Sequence, residues 1–232
     1  MLKKAVHALG RAYISHLTSD AAQSQEFTRH NERSVEYGYV FKALSTYRPR
    51  SVLDVGSGDT ALPSLIRSCG PVVTAIDNVR DYWRAGMVNR HWHVVDDDIT
   101  STSLIDRFDM ITCVSVIEHI IDHVGAMRSM MSLLAPGGVL VITTPYSEMR
   151  HVSNVYELEG AAYGRDLPYT CRSTSRSVLD KWLDTVGGEI VDQEFWKIWS
   201  GDVWCQGDIL DKPKKVEANI PHQLTCLAIR KS

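Results

Sequence analysis

The chain has 232 residues, of which 44% are hydrophobic and 23% are charged, and its formal net charge at pH 7 is −3. This composition suits one globular α/β domain with ample material for a core, and the charge gives no electrostatic reason to expect a nucleic-acid partner. The five cysteines lack CxxC spacing and no apolar run approaches the roughly 20 residues that span a bilayer, so we expect a cytoplasmic protein with reduced thiols, no zinc site and no membrane partner.

The N-terminal part of the chain is predicted to be an extension, residues 1–34, with a helix near 3–16 and irregular chain after it. The remainder, residues 35–232, is predicted to form a single domain. It opens with an amphipathic helix over 32–47, because apolar residues repeat there at intervals of four until Pro49 ends the pattern.

The most informative stretch is residues 51–60, Ser-Val-Leu-Asp-Val-Gly-Ser-Gly-Asp-Thr. A β-branched strand that carries Asp54 breaks into two glycines, and Thr60 is predicted to cap a helix that runs to about Ser68. Glycines permit backbone angles closed to other residues and let a ligand approach the main chain, while a helix start offers free N–H groups. The stretch therefore predicts a strand, a tight turn and a helix around a nucleotide-like cofactor.

Strands and helices alternate beyond this turn. Further strands are predicted over 72–76, 92–95, 108–115 and 139–143. The helix between the last two is predicted to bury one face and to end at Ala135–Gly138; that face consists of Ile121, Val124, Met127, Met131 and Leu134. The alternation implies parallel βαβ units in a doubly wound sheet.

The regular alternation of strands and helices ends after Thr144. Residues 145–174 are predicted to form a long loop or cap over the sheet edge, because they show no clear periodicity. A helix over 175–186 and two late strands over 189–198 and 223–230 complete the predicted elements.

The carboxyl ends of the predicted strands carry polar residues that we expect to converge on one crevice, as ligand sites do in open α/β sheets. Asp77 lies about 20 residues past the glycine turn, where an acid accepts hydrogen bonds from both ribose hydroxyls. Asp98 is placed to accept a hydrogen bond from the amino group of an adenine, with Ile99 packing against the ring. Asp54 is placed to meet the charged amino group of a bound amino acid.

Two other readings stay open on these residues. Gly56, Gly58 and Ala61 also satisfy the G-x-G-x-x-A form of a dinucleotide site, which would make the chain an NAD(P)-dependent oxidoreductase. Against this reading, the chain lacks a Tyr-x-x-x-Lys pair after the predicted fifth strand. The third reading is a binding module of the same fold without activity.

The chain resembles the class I S-adenosylmethionine-dependent methyltransferases over roughly residues 35–145. The resemblance rests on blocks that occur in the family's order: Val52–Gly58, Ala75–Asp77, Asp97–Thr100, and the fourth-strand block ending in Glu118-His119 with the Pro136-Gly137-Gly138 turn. It implies a Rossmann-like, three-layer α/β/α fold with a seven-stranded, mostly parallel sheet whose last strand is antiparallel. Two departures are Asp59-Thr60, where a Gly often follows Gly58, and Asp97, where a Gly is usual.

The resemblance also implies S-adenosylmethionine as cofactor and a small-molecule methyl acceptor, with oxygen as the most plausible methylated atom. The cofactor-binding residues are then expected to be Asp54, Gly56, Ser57, Gly58, Asp77, Asn78, Asp97, Asp98, Ile99, Ser115 and Val116. No metal is expected, although His119, Asp122 and His123 are ligand-type residues. The sequence makes no prediction of oligomeric state.

The acceptor side is predicted from individual residues. His119 and His151 are the candidate general bases, should the nucleophile be a hydroxyl. Candidate substrate-binding residues are Tyr146, Arg165, Arg172 and Arg176. Arginines near a strand-end crevice would suit a nucleotide-sugar or a phosphorylated glycan, and residues 31–37 and 169–173 resemble methyltransferases of sugar and surface-polysaccharide pathways.

Overall fold

The computed structural model describes residues 2–27 and 29–231, without the side chains of Asp20 and Ala21. The described chain divides into two units, the first ending at His30 and the second beginning at Asn31. Residues 1 and 28 of the predicted extension lie outside the described residues. None of the described helices has both the length and the apolar character needed to cross a bilayer.

The first unit contains α1, Leu2–Gln23, which is longer than the predicted helix. The residues after position 16 were predicted to be irregular chain, but those up to Gln23 belong to the helix. The hydroxyl of Thr18, for example, donates to the carbonyl oxygen of Ile14 one turn earlier at 2.9 Å.

The second unit alternates helices and strands as the pattern predicted, with one strand more. Its elements are α2 (Arg33–Tyr47), β1 (Ser51–Val55), α3 (Leu62–Ser68), β2 (Val72–Asp77), α4 (Val79–Tyr82), β3 (Val95–Asp96), β4 (Phe108–Val114), α5 (His123–Leu133), β5 (Leu134–Pro145), α6 (Arg176–Val186), β6 (Glu189–Trp199), β7 (Ile209–Val216) and β8 (Leu224–Arg230). The segment between β5 and α6 contains a single 3-10 turn at Val155–Glu157.

The strands form one mixed sheet in the order β3-β2-β1-β4-β5-β8-β6-β7. Strands β1 to β5 pair in parallel, β8 is antiparallel to both β5 and β6, and β7 is antiparallel to β6. The sheet therefore has eight strands instead of the predicted seven. The missed strand β7 is polar and contains Pro213, which is tolerated because an edge strand pairs on one side only.

Alternation along the strands creates two cores. Val52 of β1 belongs to a cluster with buried residues of α2 and α3, whereas the next residue, Leu53, belongs to a cluster with buried residues of α5 and α6. Successive side chains of a strand point to opposite faces, so helices cover the sheet on both sides. This arrangement is the predicted three-layer α/β/α fold.

Several predicted boundaries are wrong at the carboxyl edge of the sheet. Thr60 does not cap α3, whose preceding residue is Ala61 without a side-chain cap; the Thr60 hydroxyl instead donates to the carbonyl of Ser57 at 2.8 Å. Strand β3 has two residues and lies later than the predicted 92–95.

The predicted ends of α5 are also wrong. Ile121 precedes α5 and is 79% exposed, because Asp122 is the N-cap and accepts a hydrogen bond from the amide of Gly125. Ala135–Gly138 belongs to β5, which begins directly after α5.

Candidate active site

A cavity of about 990 Å³ opens beyond the carboxyl ends of the first four strands. Its walls come from the segments that follow β1, β2, β3 and β4, from α2, and from a loop after α4. Parallel strands end at the same edge of a sheet, so the polar residues that follow them are brought together there.

The glycine turn after β1 is anchored to β2. Gly56 and Gly58 have φ angles of 73° and 54°, in the left-handed region that favours glycine. A Cβ atom on Gly56 would overlap the side chain of Val116. The amide of Gly56 donates to the carbonyl of Ile76 at 2.9 Å, and that of Gly58 donates to Oδ2 of Asp77 at 2.7 Å. The turn therefore lines the cavity with its backbone and holds the carboxylate of Asp77 beside it.

Asp54 is a buried carboxylate in the floor of the cavity. Its Oδ1 accepts from the hydroxyl of Thr112 at 2.6 Å, and its Oδ2 accepts from the hydroxyl of Ser57 at 2.7 Å. Burial raises the pKa of Asp54 to about 6. Ser57 was predicted to contact the cofactor, but it is not among the cavity-lining residues; its hydroxyl orients Asp54.

The predicted residues after β2 and β3 line the same cavity: Asp77, Asn78, Asp97, Asp98 and Ile99. Burial raises the pKa of Asp77 above its ordinary value. Asn78 and Asp98 also act locally, since their side chains accept from the amides of Asp81 and Thr100, respectively. The Asp97 carboxylate accepts from Thr102 and Ser103.

A loop contact that the sequence did not predict holds the glycine turn from outside. The side-chain amide of Asn89 donates to the carbonyls of Gly58 and Thr60 at 2.9 and 3.0 Å. Its oxygen accepts from the amides of His91 and Trp92, both at 2.8 Å. Asn89 therefore bridges the turn and the loop that follows α4.

The end of β4 is joined to α2 by a buried carboxylate, Glu36. Ser115, with φ of 51°, donates its hydroxyl to Oε1 of Glu36 at 2.5 Å, and the hydroxyl of Thr143 donates to the same atom at 2.7 Å. Oε2 of Glu36 pairs with the guanidinium of Arg33 at 2.9 Å. Arg33 and Tyr37, also of α2, line the cavity together with the predicted Ser115 and Val116.

Sequence reasoning missed Arg33 and Tyr37 because the apolar repeat of α2 was interpreted only as a core-facing stripe. One signal was available. Glu36 lies one turn before Val40 and two turns before Ala43 on that stripe, and a carboxylate on a buried face needs partners.

His119 lines the cavity past the end of β4. Its Nδ1 is 2.7 Å from the carbonyl oxygen of Thr170, which can only accept, so Nδ1 carries the proton and the lone pair lies on Nε2. The ring makes an edge contact with Tyr169, with centroids 4.7 Å apart. Burial lowers the pKa of His119, so the imidazole is neutral at pH 7.

The other predicted catalytic and substrate-binding residues are not among those that line the cavity: His151, Tyr146, Arg165, Arg172 and Arg176. Tyr146 is fully buried and donates its hydroxyl to Glu148, which also pairs with Arg176 at 3.0 Å. Arg172 donates to the carbonyls of Ile117 and Ile120. Arg172 and Arg176 therefore hold the segment before α6 in place, and Arg165 is exposed.

The ligand-type residues near His119 have other partners. Nδ1 of His123 accepts from the indole of Trp182 at 2.7 Å, and Asp122 caps α5. Over residues 2–27 and 29–231, no three His, Cys, Asp or Glu side chains are grouped to hold a metal ion.

Comparison with known proteins agrees with the fold. Residues 27–193 match the family model described as "Methyltransferase domain". The ubiquinone biosynthesis O-methyltransferase of Coxiella burnetii is 26% identical over 159 residues, which are 63% of this chain and 67% of the relative. Its namesake in Psychrobacter arcticus is 29% identical over 147 residues, 57% of this chain, and the match spans 56% of that relative's length.

Two solved structures share the fold at low identity. The 1,6-didemethyltoxoflavin-N1-methyltransferase of Burkholderia thailandensis, with S-adenosylhomocysteine bound, has a TM-score of 0.59 at 16% identity and covers 99% of this chain and 89% of its own. The N-methyltransferase NodS of Bradyrhizobium japonicum, also with S-adenosylhomocysteine, has a TM-score of 0.53 at 18% identity and covers 86% and 87%. With the family model matching most of the chain, the protein belongs to the methyltransferase-domain family and is an S-adenosylmethionine-dependent methyltransferase.

Proposed function

We propose that this enzyme transfers the methyl group to an oxygen atom of a small molecule, with His119 as general base. The observation that carries this proposal is the neutral imidazole of His119 in the same cavity as Asp54 and Asp77. Its Nδ1 is bound to the carbonyl of Thr170, which directs the basic lone pair to Nε2.

The cavity fits S-adenosylmethionine in volume and in chemistry. Asp54 is a buried acid that would bind the methionyl ammonium, and Arg33 would bind the carboxylate of the same tail. Gly58 leaves room for that tail, since a Cβ there would meet only Cε of Met87 at 4.0 Å, whereas the space beside Gly56 is filled by Val116. Burial of an acid without an internal cation is costly, and a bound ammonium would offset that cost at Asp54.

The remaining cofactor contacts follow from the order of the strands. Asp77 would accept hydrogen bonds from the ribose hydroxyls, as predicted from its spacing. Asp98 and Ile99 lie after β3, the outermost strand of this half, and would contact the adenine. Asn78, Asp97, Ser115 and Val116 complete the proposed walls, while Ser57 acts by orienting Asp54.

The residues of the chain supply position and proton transfer. When bound, S-adenosylmethionine would supply an activated methyl carbon for the acceptor oxygen, and its sulfur would keep the electron pair of the carbon–sulfur bond. His119 Nε2 takes the hydroxyl proton and later releases it to solvent. The cavity walls must hold the acceptor in line, a proximity effect worth several kcal/mol.

Oxygen is favoured over nitrogen by the relatives, which are named O-methyltransferases of ubiquinone biosynthesis. The anionic sugar expected from the sequence has less support, because Arg165, Arg172 and Arg176 do not line the cavity. Residues 145–174 remain the proposed cap over the acceptor, since Tyr169 lines the cavity and Thr170 orients the base.

Isothermal titration with S-adenosylhomocysteine tests the cofactor assignment, and we expect a Kd in the micromolar range. The affinity should fall as pH drops below about 6, because protonation of Asp54 removes the charge that binds the ammonium. Tight NAD binding without S-adenosylhomocysteine binding would overturn the proposal. Mass spectrometry and NMR of the methylated product then decide between oxygen and nitrogen.

A further inference from the structure

We infer that Glu36 is a positioning residue for His119 and acts through the left-handed turn at Ser115. This inference rests on the proposed function, because the position of His119 matters for catalysis only if that residue is the general base. Glu36 lies on α2 and is not among the cavity-lining residues. Its carboxylate bonds to Ser115, Thr143 and Arg33 and not to His119, so its effect on the base must pass through the backbone that follows β4.

The backbone at Ser115 needs external support. Its φ angle of 51° lies in the left-handed region, which residues with a Cβ atom occupy rarely and only where the surrounding structure holds them. The Ser115 amide donates to the carbonyl oxygen of Thr143 at 3.0 Å and to its hydroxyl oxygen at 3.1 Å. The Ser115 hydroxyl donates to Oε1 of Glu36 at 2.5 Å. This last bond is charge-assisted, and such bonds are roughly twice as strong as neutral ones.

The turn at Ser115 sets the course of the chain that leads to the base. Directly after it, the side chain of Val116 fills the space beside Gly56. The carbonyl oxygen of Val116 accepts from the amide of His119 at 2.9 Å, and Nδ1 of the His119 ring donates to Thr170 at 2.7 Å. Backbone and ring are thereby fixed in turn, so a change at Ser115 would displace the lone pair on Nε2.

Glu36 is suited to this role because it is buried and both of its oxygens are engaged. None of its surface is exposed. Oε1 also accepts from the hydroxyl of Thr143 at 2.7 Å, and Oε2 pairs with Nη1 of Arg33 at 2.9 Å. Arg33 compensates a charge that would be costly to bury alone, and its other N–H groups remain for the proposed cofactor carboxylate. A carboxylate held in this way keeps Ser115 in one geometry.

Hydrogen exchange of the His119 amide, followed by NMR on the full chain with S-adenosylhomocysteine bound, measures how firmly the turn is held. Glu36→Gln keeps the size of the side chain but replaces charge-assisted bonds by neutral ones. We expect the His119 amide to exchange roughly tenfold faster than in the parent, because open forms of the turn gain population. In ¹⁵N-histidine spectra the ring should show a new fraction protonated at Nε2, since it leaves Thr170. Exchange and ring signals equal to those of the parent would overturn the positioning role.

Ser115→Gly tests the route. Glycine adopts the left-handed region without the penalty of a Cβ atom, so the turn no longer depends on Glu36. Adding Glu36→Gln to the Ser115→Gly variant should therefore change His119 exchange by less than about twofold, although Glu36→Gln alone has the full effect. A tenfold effect that persists in the glycine background would overturn the route through Ser115.

Thr143→Val and Thr144→Val form a matched pair on β5. The Thr143 hydroxyl donates to Glu36, so its loss should speed His119 exchange by roughly threefold. The neighbouring Thr144 hydroxyl is buried without a hydrogen-bond partner among the described residues, so its loss should leave the exchange within about twofold. Equal exchange in the two variants would contradict the role of Glu36, and this pair carries the test even if Glu36→Gln does not fold.

Glu194→Gln separates positioning from a general loss of stability. Glu194 is also a buried carboxylate that pairs with α2, through Lys42 at 2.7 Å, but it lies on β6. This variant should leave His119 exchange within about twofold of the parent, even where its melting temperature falls as far as that of Glu36→Gln. The same tenfold increase in Glu194→Gln would show that Glu36 acts only on stability.

Methyl transfer by His119→Ala separates this inference from the function on which it rests. An unchanged transfer rate in that variant would mean that the general base assignment fails, and the catalytic purpose of the turn fails with it. A slow His119→Ala enzyme together with parent-like exchange in Glu36→Gln would leave the proposed function standing and overturn the positioning role alone.

Discussion

The two ends of the cavity are built in different ways. The end proposed for the cofactor consists mainly of residues at or just after the carboxyl ends of β1, β2, β3 and β4, with Arg33 added from α2. The end proposed for the acceptor combines His119, from the segment after β4, with Tyr169 and Thr170, from the segment before α6. The first end is encoded locally along the chain and the second depends on tertiary contacts, so the first can keep one ligand while the second varies.

One network connects these ends. Glu36 of α2 accepts from Ser115 and Thr143 at the end of β4 and the body of β5, and it pairs with Arg33. The helix that supplies Tyr37 is thereby fixed to the strand that positions His119. This contact is polar and buried, and such networks specify one arrangement when every member has a partner.

The largest expected effect is on catalysis at the acceptor end, without a matching effect on cofactor binding. His119→Ala should lower kcat by about 10²- to 10⁴-fold, because it removes the general base. Kd for S-adenosylhomocysteine should stay within about twofold. In the parent enzyme kcat should fall as pH drops below the lowered pKa of His119, since the protonated imidazole cannot accept a proton, and the variant should lose this acid limb.

The control for this experiment is His151→Ala, which changes the other candidate base, a residue outside the cavity lining. We expect its kcat to stay near that of the parent. Near-normal rates in both variants would mean that positioning alone suffices and that no histidine acts as base.

The second effect tests the cofactor end. Asp77→Ala should raise Kd for S-adenosylhomocysteine by about 10- to 100-fold, because hydrogen bonds to a charged group contribute about 1.5–3 kcal/mol. Asp81→Ala, on the exposed side of α4 and outside the cavity, should leave Kd unchanged. An unaltered Kd in the Asp77 variant, measured by titration, would contradict the ribose assignment.

The third effect concerns stability near the acceptor end. Glu118 is buried, its Oε2 accepts no hydrogen bond from any residue that the structure describes, and burial raises its pKa to about 8 from 4.5. The folded chain therefore holds this proton more tightly than the unfolded chain, and stability should fall as pH rises from 4.5 to about 8. Glu118→Gln removes the buried charge and should stabilise the protein by about 2 kcal/mol at pH 8, with little gain at pH 5.

Thermal unfolding at both pH values measures this difference. Glu217→Gln, at an exposed position, is the matched control and should behave as the parent does at each pH. An equal change in melting temperature at pH 5 and pH 8 for Glu118→Gln would show that Glu118 does not titrate in this range.

The smallest effect tests how far the cofactor end is encoded locally. Asn89 is an exception to local encoding, because it reaches the glycine turn from a loop about 30 residues away. Asn89→Asp keeps an acceptor for the amides of His91 and Trp92 but loses the donor bonds to Gly58 and Thr60. Each net hydrogen bond contributes about 1 kcal/mol. Because the turn is also held by the bonds that the Gly56 and Gly58 amides donate to β2, we expect about half of the lost energy to reach S-adenosylhomocysteine binding, and Kd should rise about fivefold. A Kd equal to that of the parent, again by titration, would show that the turn keeps its shape without this bridge.

Much of the fold was predictable because its signals are short-range. The buried strands β1, β2, β4 and β5 are nearly continuous apolar runs, and the glycine turn and the acid after β2 have fixed spacing. The polar edge strand β7 lacks such a signal. The start of α5 was also predicted wrongly. Ile121 continues the apolar pattern of the helix, but Asp122 is the N-cap, so the helix begins after it.

The acceptor end shows where prediction from the sequence stopped. Tyr146, Arg165, Arg172 and Arg176 have the right chemistry for an anionic substrate. However, Arg172 donates to main-chain carbonyls of the segment after β4, and Arg176 pairs with Glu148. Arg33 and Tyr37 instead reach the cavity from a helix that looked purely structural. Residue type alone could not distinguish these sets.

By itself the sequence determined the layer architecture, the glycine turn and the acids after β1, β2 and β3, because strand periodicity and turn chemistry act within a few residues of one another. Only the tertiary structure decided that Thr112 supports Asp54, that Thr170 sets the tautomer of His119, and that α2 supplies Arg33 and Tyr37. Those contacts join segments by packing and hydrogen bonding across the sheet edge, and no local pattern records which distant side chain fills a given place in space.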